Sequence, residues 1–156
     1  MPTLVLVRHA KSAYPEGVSD HDRPLNERGE RESQVMAQRL SERFGQLDLA
    51  LVSTAQRAQQ TWAPLAEVWP SVAHEDRPDL YLASAATLLT QVRALPATAA
   101  VVAMVGHNEG MEVLATELSG VPVTMKTSTF AVLTSDQGWP RWAAAAAALT
   151  EVVIAR

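Results

Sequence analysis

The sequence contains no cysteine, so disulfides, thiolate catalysis, cysteine-type zinc sites and iron–sulfur clusters are excluded. It has no apolar run approaching the roughly 20 residues of a membrane span. The opening MPTLVLVRHA offers only five consecutive apolar or near-apolar residues before a charged pair, too few for a signal peptide. A cytoplasmic location is expected, with no membrane partner. There is no basic excess either: 13 Lys plus Arg stand against 17 Asp plus Glu, a formal charge of −4. No global positive field exists to hold nucleic acid, so any anionic ligand needs a local cationic site. The four histidines lack close metal-ligand spacing such as HExxH, so neither a metal nor an organic cofactor is expected.

What is present suits a globular chain. Apolar residues make up 47% of 156 positions and charged residues 19%, enough to build a core and too apolar for intrinsic disorder. One domain spanning residues 1–156 is expected from the length. Thr3 to Val7 (TLVLV) is a β-branched apolar run without alternation, the pattern of a strand buried on both faces. Ala10 to Arg23 has loop chemistry. Asn26 is placed to cap a helix with Leu25 as its staple residue, Val35, Met36, Leu40 and Phe44 recur at helical spacing, and Gly45 is placed to end it.

The alternation then repeats. Leu47 to Val52 reads as a strand and Gln56 to Trp69 as a helix distorted at Pro64. Pro70 to Tyr81 reads as irregular, Ser84 as the cap of a helix reaching about Leu95, Ala99 to Val105 as a buried strand, and Glu109 to Leu118 as a helix closed by Gly120. This order predicts an α/β fold with a largely parallel sheet covered on both faces. Phe130 to Thr134 suits a strand followed by a turn at Ser135 to Pro140. For Trp142 to Leu149 two readings stay open: six alanines favour a helix by propensity, and the tight turn before them favours an antiparallel edge strand.

Each of the three apolar strands ends in polar residues of a catalytic type: Arg8 and His9, then Ser53 and Thr54 with Arg57 one turn on, then His107 and Asn108. In open parallel sheets the ligand crevice lies just outside the carboxyl ends of the strands, so these distant segments are expected to converge. Two guanidinium groups with planar forks suit phosphate oxygens, and a helix N-terminus beside them adds backbone N–H donors. An imidazole with one nitrogen held by a partner and the other neutral is a nucleophile, so His9 or His107 could take a phosphoryl group. Two arginines and a second, cationic histidine would then stabilise charge on the equatorial oxygens.

The motifs themselves carry a resemblance. LVLVRHAKS resembles the RHG signature of the histidine phosphatase (phosphoglycerate mutase-like) superfamily, in the RHAKS variant of small SixA-type phosphohistidine phosphatases. DRPLNERG at Asp22 to Gly29 resembles the segment before the first helix of that group. STAQRAQQT at Ser53 to Thr61 resembles its second-arginine motif, and VGHNEGM at Val105 to Met111 its second-histidine motif. The resemblance implies a three-layer α/β/α sandwich with a mostly parallel central sheet. It makes His9 the phosphorylated nucleophile and Arg8, Arg57 and His107 the groups that bind phosphoryl oxygens, joined by the backbone N–H of Asn108 and by Ser12. Two departures stand out: the glycine of RHG is Ala10, and the acidic general acid of the mutase branch has no clear counterpart. Asp79, in RPDL, is the nearest positional candidate, with Glu109 and Asp20 as further ones.

The remaining polar residues read more simply. His21 and His74 lie in charged loops, with His21 a rim residue at most, while Arg23 and Arg28 serve ion pairs, Arg23 being also within reach of a substrate. Trp62, Trp69, Trp139 and Trp142 read as packing residues. The resemblance implies a phosphatase acting through phosphohistidine on His9, with phosphohistidine in proteins as the expected substrate and partner. The rival readings are a small-molecule phosphomonoesterase, a phosphoglycerate-type mutase and, from another class, a catalytically silent phosphate-binding module. A chain this short leaves no room for a sizeable lid, which favours hydrolysis at an open site.

Overall fold

The computed structural model describes all 156 residues, Met1–Arg156. Six strands form one sheet: β1 (Thr3–Arg8), β2 (Leu49–Ser53), β3 (Ala73–Arg77), β4 (Val101–Gly106), β5 (Thr129–Thr134) and β6 (Ala148–Ile154). Their spatial order is β3-β2-β4-β1-β5-β6. Pairings from β3 through β1 are parallel, and β5 and β6 join antiparallel. Four helices cover the sheet: α1 (Glu27–Arg43), α2 (Gln56–Val68), α3 (Ala85–Arg93) and α4 (Gly110–Ser119).

Successive strand residues point to opposite faces, so an unbroken apolar run needs a helix layer on each side. Leu4, Leu6, Leu51, Val102 and Met104 pack with Leu88 and Val92 of α3 and Leu114 and Leu118 of α4. Val5, Val7, Ala50, Val52 and Val105 pack with Met36 and Leu40 of α1 and Trp62 and Leu65 of α2. The sandwich is therefore the three-layer α/β/α arrangement expected, and all four tryptophans are buried in it.

The caps follow the sequence in most places. Asn26 Oδ1 accepts the Gly29 N–H at 2.8 Å, and Ser84 Oγ accepts the Thr87 N–H at 3.2 Å. Gly120 ends α4 in the left-handed conformation, φ 74°. Gly45 does not act this way: α1 stops at an extended Phe44, and Gly45 is not in the left-handed region.

Two segments depart from expectation. The stretch read as irregular contains β3, whose residues are mostly exposed (AHEDR) and which pairs only with β2 at the sheet edge. Charge is tolerated at such an edge and blunts further pairing, so no apolar pattern marks it. Of the two readings at Trp142 to Leu149, the helix is absent and an antiparallel edge strand, β6, starts only at Ala148. The Ala145 and Ala147 N–H groups donate to the Glu117 and Leu118 carbonyls at the end of α4, at 2.9 and 3.0 Å. These carbonyls lack partners within their own helix, and Trp139 and Trp142, packed together with ring centroids 4.9 Å apart, anchor the chain just before the alanines. Tertiary bonds of this kind override alanine's propensity.

The register sets up the site. Arg8 lies beside Gly106, and Val52 beside Val105, so β1, β2 and β4 end at one level. The residues that follow, His9, Thr54 and His107, emerge together at the carboxyl edge of the sheet.

Candidate active site

His9 leaves β1 under tight constraint. Its N–H donates to Gly106 O at 3.0 Å, its carbonyl accepts from Ser128 N–H at 3.2 Å, and the next N–H, of Ala10, donates to Thr61 Oγ1 at 2.9 Å. The ring is only 7% exposed. Nδ1 lies 2.7 Å from the Ala10 carbonyl, which can only accept, so the ring proton sits on Nδ1. Nε2 therefore carries a lone pair, and Arg57 Nε donates to it at 3.3 Å. Burial lowers the His9 pKa to about 4, against the opposing pull of the Ala10 carbonyl, with Arg57, Arg8 and Arg23 lowering it further.

His107 lies across the cleft, with ring centroids 5.2 Å apart. Its Nε2 is 2.8 Å from Ser53 Oγ, and that oxygen accepts the Ala55 N–H at 3.3 Å. His107 Nδ1 is buried without a partner. Burial lowers this pKa to about 3, helped by His9 and Arg57. The expected cationic histidine is thus neutral in the free site, because it is buried beside another imidazole and a guanidinium.

The cations are held by carbonyls and one carboxylate. Arg8 Nη1 donates to Met125 O at 2.8 Å, and its Nε is buried without a partner. Arg57, 2% exposed, donates from Nη1 to Asp20 O at 2.6 Å and from Nη2 to Asp20 Oδ2 at 3.1 Å. A cleft of about 240 Å³ opens between these groups, its wall including Arg8, His9, Arg57 and His107. Lys11 and Arg23 also line it, against a single carboxylate, Asp20. An acidic chain has concentrated cations where a phosphate would enter.

The other expected residues divide. Ser12 lines the cleft, and its Oγ accepts from Arg23 Nη1 at 2.8 Å. Asn108 lines it too, but its side-chain amide is committed to Glu112 Oε2 (3.1 Å) and Met125 O (2.8 Å), which leaves the backbone for a ligand. Asp79 does not reach the cleft: it is exposed in the short 3-10 turn Pro78–Leu80. Glu109 lines a separate groove with Leu82 and Val113. Of the three carboxylate candidates only Asp20 lines the cleft, and its pKa is lowered to about 2, first by the Tyr81 hydroxyl, with burial opposing and Arg57 and Arg23 lowering it further.

His21 sits at the rim, edge-on to Tyr81 at 4.7 Å and 2.8 Å from Thr54 Oγ1, whereas His74 pairs with Asp76 on the edge strand. Arg28 pairs with Glu32 at 2.9 Å, and Arg23 with Asp20 at 3.1 Å, as their surroundings suggested. Ser53, Thr61 and Tyr81 are supports that sequence reasoning did not assign. Ser53 and Thr61 fall inside the second-arginine motif, the one signal that pointed to them. The motif glycines Gly29 and Gly110 also gain a reason: a Cβ on either would lie 2.0 Å from a carbonyl oxygen, of Lys11 and of Ala83 respectively. Each lets a helix start press against a loop of the cleft.

Two buried neutral histidines have a cost in acid. The unfolded chain protonates them near the ordinary 6.5, and the folded chain only near 4 and 3. Above 6.5 neither state binds the protons and nothing is lost. Below it the unfolded state binds them first, so stability falls by about 1.4 kcal/mol per pH unit for each histidine until the folded pKa is reached. Urea midpoints between pH 7 and 4.5 should show this slope, and His107→Gln should make it shallower by about half. An unchanged slope in that variant would show that His107 is protonated in the folded protein.

The comparisons with known proteins agree with this geometry. A family model described as the histidine phosphatase superfamily (branch 1) matches residues 4–81. An uncharacterized protein of Mycobacterium tuberculosis is 36% identical over 118 residues, which cover 76% of this chain and 73% of that one. A solved structure described as a proposed phosphohistidine phosphatase SixA of Nakamurella multipartitia superposes with a TM-score of 0.86 at 32% identity, covering 97% of this chain and 95% of that one. The protein histidine phosphatase SixA complexed with tungstate gives a TM-score of 0.83 at 25% identity, over 97% of this chain and 96% of that one.

Proposed function

This chain belongs to the histidine phosphatase superfamily and is a phosphatase, and from that premise we propose that it works through a phosphohistidine on His9 and acts on phosphohistidine in proteins. The observation that carries the mechanism is the state of His9. A neutral imidazole, fixed by Nδ1 on a carbonyl, offers Nε2 between an arginine and a second histidine.

In the first step His9 Nε2 attacks phosphorus and the bond from phosphorus to the substrate's nitrogen breaks, the leaving imidazole nitrogen taking up a proton from solvent water in the open cleft. Water then attacks the phosphorus on Nε2, that P–N bond breaks, and inorganic phosphate leaves. Negative charge on the transferring oxygens meets Arg8, Arg57 and His107, whose buried Nδ1 has no partner within the protein. A dianion arriving beside His107 also favours its protonated form.

The substrate class follows from what the cleft can donate. An alkyl phosphate leaves as a poor alkoxide unless an acid protonates it, whereas a phosphoramidate leaves readily once its nitrogen is protonated. Asp20, the carboxylate lining the cleft, is ionised near neutrality and has no proton to give. The SixA neighbours support the same class.

The test is a substrate panel. kcat/KM should be highest for a phosphohistidine protein or peptide, intermediate for aryl phosphates and lowest for alkyl esters. Sugar phosphates or phosphoglycerate better by about tenfold would overturn the phosphohistidine assignment while leaving the His9 mechanism in place.

A further inference from the structure

We infer that Asp20 is a positioning residue: clamped by Tyr81 and Arg23, it grips the terminal edge of Arg57 so that the remaining edge of the guanidinium is aimed at His9. The inference deepens the phosphatase reading and rests on it.

A guanidinium has more than one edge able to pair with a planar acceptor. In Arg57 the two terminal nitrogens both go to Asp20, Nη1 to its carbonyl (2.6 Å) and Nη2 to its carboxylate (3.1 Å), while Nε faces His9 Nε2 (3.3 Å). The edge nearest the nucleophile is thus left for phosphoryl oxygens. Without that grip a long side chain would sample other rotamers, and each one turns the Nε–H away from the point where phosphorus must sit.

Asp20 is an unlikely anchor by itself. Its side chain is 48% exposed, on the loop after β1, in the 3-10 turn Asp20–Asp22. The surroundings supply what it lacks. The Tyr81 hydroxyl donates to Asp20 Oδ2, and Arg23 Nε donates to Oδ1 at 3.1 Å. Tyr81 is itself lodged edge-on against His107 at 5.5 Å and His21 at 4.7 Å. Arg23 is tied to Ser12 Oγ and to the Ala13 carbonyl. The chain of contacts joins two loops 61 residues apart and ends on the cation beside the nucleophile. Such supporting shells decide whether a site is held closely enough to work. The rival role, general acid, conflicts with the ionised state that these same donors impose.

A double-mutant cycle tests the inference, run with a series of aryl phosphates and a phosphohistidine peptide. Asp20→Ala should lower kcat by about 10- to 50-fold and Tyr81→Phe by about 3- to 10-fold, with KM within about threefold of wild type. The same factor should hold across leaving groups, and in the Arg57→Ala background Asp20→Ala should add less than about twofold. Tyr81→Phe keeps the ring packing, so it reports on the clamp even if Asp20→Ala disturbs the loop. A full Asp20 effect in the Arg57→Ala background, or one that grows with leaving-group pKa, would make Asp20 an independent catalyst and overturn the inference. So would kcat within about twofold of wild type in both single variants. A wild-type protein inactive on every phosphoester and phosphoramidate would instead bring down the phosphatase reading, and this inference with it.

Discussion

His9→Ala is expected to lower kcat by about three to six orders of magnitude, whatever the leaving group. The size follows from its place in both half-reactions of the proposed mechanism, in which the bond to phosphorus is made to Nε2 and later broken there, so no neighbouring group could take over one half. His107 is the nearest alternative nucleophile, 5.2 Å away between ring centroids, but its Nε2 is engaged by Ser53 Oγ at 2.8 Å. The loss should come without unfolding. Below pH 6.5 the variant should also lose stability less steeply than wild type, because the buried neutral His9 no longer adds to the cost of acid. A melting curve beside the kinetic assay separates the two effects. Normal turnover by the variant would remove this mechanism.

Arg57→Ala is the second large effect, a loss in kcat of about two to four orders of magnitude. Arg57 is a buried permanent cation whose Nε donates to His9 Nε2, the atom proposed to receive phosphorus, at 3.3 Å. In the proposed mechanism its charge meets oxygens whose negative charge redistributes during transfer, so the effect is expected in kcat more than in KM. Lysine should rescue little, since a point charge cannot face His9 and Asp20 at the same time with fixed geometry. A loss below about fivefold would place Arg57 outside the reacting centre.

The sequence-level reading reached these residues for a physical reason. TLVLV and AAVVAMV are apolar on both faces, so they had to be covered strands, and parallel neighbours bring their carboxyl ends to one level. Arg8, His9 and His107 stand right at those ends, with Arg57 one turn into the helix after β2. The edge of the sheet was illegible because β3 carries AHEDR, with no apolar face to display, and because the alanine run before β6 is fixed by bonds to the distant end of α4. The carboxylate failed for a related reason. Asp79 sits near the expected position in the chain, but its side chain is exposed in the 3-10 turn, while Tyr81, two residues on, donates to Asp20. A contact across 61 residues leaves no periodicity to read.

The most direct measurement is to trap the intermediate. Wild-type protein mixed with radiolabelled phosphohistidine peptide or aryl phosphate, quenched within the first turnover under alkaline denaturing conditions, should carry a covalent phosphate that survives base, is lost in acid, and maps by mass spectrometry to His9. Its formation and its decay should each be at least as fast as turnover, and His9→Ala should carry none. Phosphate that is stable to acid, or located on a serine or on His107, would contradict the assignment of His9 as the nucleophile, as would turnover with no covalent phosphate formed at a competent rate.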